Sequence, residues 1–124
     1  MSRKFANNNS AVEVTKLCYA ESTRNLMYRI QCGNLKDLQE CVKVINAYNE
    51  FNNKIVNPAL ERFVDKKVNY SIGREYSVVM YLQSEDWFDD EKSKEFDGVV
   101  QDFASITKAD ECDKIRDEWR LWWD

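Results

Sequence analysis

The chain has no histidine, one proline and three glycines in 124 residues. Without imidazole it lacks the side chain that most often carries general acid–base catalysis, and with it any Ser/His/Asp or Cys/His nucleophile set. Gly33, Gly73 and Gly98 lie far apart, so no phosphate-cradling loop of the Walker type can be written. The four cysteines, at 18, 32, 41 and 112, include no C-x-x-C pair. A zinc site would have to draw on scattered thiolates alone, so free buried thiols are the expected state. No apolar run approaches the ~20 residues that cross a bilayer. The stretch 1–9 is basic without a hydrophobic h-region, which predicts no secretory signal. Sequons at Asn8 and Asn69 are then fortuitous. These absences predict a cytoplasmic, non-catalytic protein with no cofactor and no metal.

What is present suits a folded domain. At 44% hydrophobic and 32% charged, the composition is that of an ordinary globular chain. Residues 1–10 read as a disordered polar arm and 11–124 as one domain with a core of its own. The charge is divided unevenly. Residues 84–124 hold fourteen acidic against six basic residues, whereas 1–83 hold twelve basic against eight acidic. Such asymmetry speaks of partners and of steering, not of fold.

Hydrophobic periodicity gives the elements. Phe96, Val99, Val100, Phe103 and Ile106 line one helical face, with Gly98 inside the run at a cost of about 1 kcal/mol relative to alanine. Thr107 and Asp110 then stand as N-cap and N3 of a second helix, on which Cys112, Ile115, Trp119, Trp122 and Trp123 fall within one arc and Leu121 on the polar side. Such an aromatic stripe reads first as core.

Upstream, Val12, Val14 and Leu17, a turn at Glu21–Asn25, and alternating Leu26, Tyr28 and Ile30 predict a β-hairpin over 11–32. Asn34 caps a helix carrying Leu35, Leu38, Val42 and Ile45 that runs to about Val56. Pro58, as N1 behind Asn57, opens another helix reaching about Lys67. Val68–Gln83 predicts a second hairpin. Its apolar parity demands an odd loop, and a three-residue loop at Gly73–Glu75 pairs Ile72 with Tyr76. The expected fold is α+β and mainly helical. A small antiparallel sheet of up to four strands packs against a proline-interrupted helix and two C-terminal amphipathic helices. An all-α chain is the alternative.

The candidate site lies in the acidic third. Glu85, Asp86, Trp87, Phe88, Asp89, Asp90 and Glu91 combine charge with two aromatic anchors, and Asp117 and Trp123 extend the surface. The run lacks the alternating ligands and central glycine of a calcium loop, and acids before a helix also stabilise its N-terminus. The predicted function is that of an inhibitor or immunity-type protein that occludes a basic protein partner, a nucleic-acid-handling protein being one such partner. A nucleotide or small-molecule ligand domain is the alternative. There Arg3, Lys4, Lys16, Arg24, Arg29, Lys66 and Lys67 would hold phosphate, and Tyr19, Tyr28 and Tyr70 would stack a base. Direct nucleic-acid binding is not expected, because Glu13 and Glu21 offset that diffuse patch. Assembly into a homo-oligomer through the tryptophan stripe is a third reading.

Overall fold

A computed structural model describes residues 3–4, 8–19 and 27–124. Among the described residues four helices pack on a sheet: α1 (Asn8–Cys18), α2 (Leu35–Ile45), α3 (Asn53–Leu60) and α4 (Asp90–Thr107). The strands are β1 (Arg3–Lys4), β2 (Tyr28–Cys32), β3 (Ala47–Tyr48), β4 (Phe51–Asn52), β5 (Val68–Glu75), β6 (Ser77–Ser84), β7 (Glu111–Ile115) and β8 (Glu118–Trp123). The main sheet runs β1-β2-β5-β6-β8-β7, antiparallel throughout except where β1 lies parallel to β2. The chain is therefore mixed α+β. Five antiparallel strands overturn both the mainly helical expectation and its all-α alternative.

The largest correction concerns the C-terminus. Residues 111–123 form a β-hairpin, not a second amphipathic helix. Helix α4 stops at Lys108, which takes the left-handed conformation (φ 60°, ψ 42°). Its N–H bonds Ser105 O at 3.3 Å and the N–H of Ala109 bonds Ala104 O at 3.0 Å. This pair of bonds is a Schellman stop. Thr107 is thus the helix's last residue and not a cap, and its buried hydroxyl donates to Phe103 O at 2.7 Å. In β8 the inward residues are Trp119, Leu121 and Trp123, so Leu121 is fully buried and Trp122 half-buried.

The expected hairpin over 11–32 is also replaced. Residues 8–18 are helical, and among the described residues of 11–32 the strand around Ile30 is found, as β2. The turn at Glu21–Asn25 lies outside the described residues. Of the arm expected over 1–10, Arg3–Lys4 form β1 and Asn8–Ser10 open α1. The rest of the arm lies outside the described residues.

Asn34 does cap α2, its side chain accepting from Asp37 N at 2.9 Å. That helix ends at Ile45, because Asn46 adopts φ 66° and turns its N–H back to Val42 O. A short β3–β4 hairpin follows. It inserts Phe51, fully buried, edge-on against Trp123 at 5.1 Å. Asn52, not Asn57, caps α3, and Pro58 lies inside the helix rather than at N1.

In β5–β6 the odd parity is observed, but the turn is shifted. Ile72 pairs with Met80 and Tyr70 with Leu82, and Glu75 faces Ser77 across Tyr76 at φ 67°. Gly73 belongs mid-strand. A Cβ there would lie 2.1 Å from Tyr28 O, so β2 approaches β5 too closely for any side chain.

Ile30, Ile72, Met80 and Leu121 stand in one row across the sheet. With Leu38, Val42, Leu60, Phe63, Val100 and Phe103 from the helical layer they form a single core. The alternate strand residues, among them Arg29, Tyr81, Arg120 and Trp122, occupy the opposite face of the sheet.

Candidate functional site

The acidic aromatic run becomes the connection between β6 and α4, and hydrogen bonds hold its backbone at Glu85, Asp86 and Asp89. Glu85 N donates to Lys67 O at 2.9 Å, and Asp86 N to Ser84 Oγ at 3.1 Å. Asp89 N donates to Asp86 O at 3.0 Å, while Asp89 Oδ1 accepts from Lys92 N as the N-cap of α4. Asp90 and Glu91 occupy the first helical turn, where the helix dipole favours carboxylates.

With the loop so braced, Trp87 (52% exposed) and Phe88 (70%) project as an edge-to-face pair, ring centres 6.0 Å apart. Large apolar side chains left in water on a rigid loop are the informative exception to burial. The pairing of Gln83 with Glu118 sets the β7–β8 turn, and with it Asp117, at the same end of the sheet as this loop.

Trp123 does not join them. It is completely buried between Phe51 and Phe103, and its indole nitrogen donates to Thr107 O at 2.9 Å. Its role is core. The acidity is also moderated from below. A recess of ≈300 Å³ beside the loop is lined by Lys66, Lys67 and Lys92 together with Asp65, Asp86 and Glu95, and Lys66 bonds Glu95 at 2.9 Å. Glu85, Asp90 and Glu91 remain exposed.

Of the phosphate-binding set considered from sequence, the side chains of Arg3 and Lys4 are not described and the described members are engaged elsewhere or spread apart. Arg29 pairs with Glu118 and Lys16 with Glu13, and Arg24 lies outside the described residues. Tyr70 is buried. The ring of Tyr19 meets those of Tyr28 and Tyr48 edge-on, with the guanidinium of buried Arg74 5.2 Å from Tyr19 and 5.0 Å from Tyr48. These aromatics are occupied in packing. Among the described residues no group of three or more His, Cys, Asp or Glu is placed to hold a metal, and no helix is long and apolar enough to cross a membrane.

Periodicity gave no hint of the polar network on the sheet face away from the helices. Arg29 lies 3.9 Å above the Tyr81 ring and pairs with Glu118. Arg120 bridges Glu75 at 2.9 Å and Glu111 at 2.8 Å, and Tyr81 donates to Glu75. Burial alone would raise the Glu75 pKa, but hydrogen bonds from Arg120 and Tyr81 and the charges of Arg120 and Arg29 together carry it below its ordinary value. Burial and Glu75 push Tyr81 up to about 12. Each ionised group here has an oppositely charged partner, which suits a rigid surface rather than proton transfer. The Arg120–Glu75 and Arg29–Glu118 contacts join residues 45 and 89 positions apart, so no local motif announces those two.

Comparison with protein-family models, with curated proteins and with solved structures finds no match for this chain.

Proposed function

We propose that the protein is a non-catalytic binding protein that docks the Glu85–Glu91 loop, with Asp117 beside it, onto a basic protein surface and occludes it. The exposed Trp87–Phe88 pair carries the reading. Aromatic anchors ringed by charge are the usual energetic centre of an interface. A backbone already fixed by hydrogen bonds loses little conformational entropy on docking. Complementary charge then speeds the encounter and makes it sensitive to salt. A partner that handles nucleic acid fits this chemistry, since its phosphate-binding groove is both basic and open.

The test compares wild type with Trp87→Ala/Phe88→Ala and with Asp89→Asn/Asp90→Asn/Glu91→Gln as bait for host proteins at low and moderate salt. Asparagine can still cap α4, so both variants should melt within a few degrees of wild type. One basic protein held stoichiometrically by wild type, released by salt and lost from both variants, is the expected result. Retention of that partner by both variants would move the interface elsewhere.

A further inference from the structure

We propose that the outer edge of β7 accepts an extended basic segment as a seventh strand, independently of the Trp87–Phe88 loop. β7 ends the sheet, and beyond it the described residues supply no further strand. Four of its five residues are exposed, and Ile115 stands 65% in solvent. A terminal strand offers unpaired backbone N–H and C=O groups to any chain able to lie beside it.

Side chains decide which chain that is. Glu111, Asp113 and Ile115 pair with Trp122, Arg120 and Glu118 and so share the face away from the helices. Glu111 is held by Arg120, whereas Asp113 makes no ion pair with any described residue. In antiparallel addition, the residue opposite Ile115 comes two positions before the one opposite Asp113 and four before the one opposite Glu111. Apolar contact with Ile115 and charge complementarity with the two acids then specify apolar-x-basic-x-basic.

The same positions reject a second copy of this chain. Twofold pairing centred on Asp113 sets that carboxylate against itself. Centred on Cys112, it sets Glu111 against Asp113, and centred on Lys114 it sets two ammonium groups together. Like charges oppose each of these registers. The edge is closed to itself and open to a cationic strand.

The experiment uses the full-length protein and a capped peptide, Ac-Thr-Val-Thr-Lys-Thr-Lys-Thr-amide, at millimolar concentration. Binding should shift the backbone resonances of 111–115 and slow amide exchange there. A fully N-methylated peptide, which keeps the charges and loses the backbone donors, should have no effect. Asp113→Lys, a change at an exposed site, should weaken binding about two- to fivefold and favour the Glu counterpart of the peptide. Equal binding by the N-methylated peptide, shifts away from β7, or no shift at all would overturn the proposal. So would a β7-mediated dimer of the free protein.

Discussion

The indole nitrogen of Trp119 donates to Asp97 Oδ1 at 2.8 Å, and the other oxygen of that carboxylate accepts from Lys114 Nζ at 3.0 Å. One aspartate on α4 thereby fixes both strands of the C-terminal hairpin against the helical layer. It also lets a nearly buried tryptophan keep a hydrogen-bond partner.

Asp97→Ala should therefore cost about 1–3 kcal/mol, because the Trp119 N–H loses its acceptor. Asp97→Asn retains that acceptor and gives up only a partly exposed ion pair, a loss of about 1 kcal/mol or less. Trp119→Ala removes the ring itself and should cost about 3–5 kcal/mol. Urea unfolding of the three variants gives the ranking. A soluble Trp119→Ala protein as stable as wild type would place that ring outside the core.

Lys108 ends α4 in a conformation that disfavours every side chain with a Cβ. Lys108→Gly should stabilise the protein by about 1 kcal/mol, read as a higher urea midpoint at unchanged slope. A fall in the midpoint would mean that the lysine side chain does more at this stop than the conformation costs.

The Glu75 network should give stability a defined pH dependence. A carboxyl whose folded pKa is depressed contributes stability above its unfolded value, 4.5, and that contribution is lost as pH falls through the folded value. Tyr81 runs the other way. Raised from 10.0 to about 12, its neutral form contributes below 10 and the contribution is lost as pH rises through about 12. The stability gap between wild type and Glu75→Gln should thus be widest near neutrality and shrink as pH falls below 4.5 through the depressed folded value. A constant gap across that range would show that Glu75 acts through packing rather than charge.

Several local features were legible in the sequence because neighbouring residues specify them. The stripe of Phe96, Val99, Val100, Phe103 and Ile106 locates α4, although Ile106 itself stays 46% exposed, Asn34 caps α2, and apolar alternation fixed which faces of β5 and β6 turn inward. The acidic aromatic run likewise identifies a candidate surface without any coordinates. The helical period that predicts a second helix after Thr107 misleads, because residues 111–123 form a hairpin. Cys112, Ile115, Trp119, Trp122 and Trp123 fit one helical arc, while Trp119, Leu121 and Trp123 fit one strand face, so both periods describe the same short segment.

Tertiary structure chose the strand. Residues 78–83 of β6 pair with 118–123 across the ladder, which satisfies backbone groups that a helix in that place would leave exposed. That choice buries Leu121 and Trp123, leaves Trp122 at the surface of the sheet, and makes β7 an edge. The stop that permits it is a lysine in a left-handed conformation, where sequence rules look for glycine. The Arg29–Glu118 and Arg120–Glu75 pairs exist only once four strands lie side by side. Local sequence determined most of the inward residues of α4, β5 and β6, with Ile106 and Tyr76 as exposed exceptions, and the charge of the loop between β6 and α4. Long-range pairing decided everything that required two distant segments to meet.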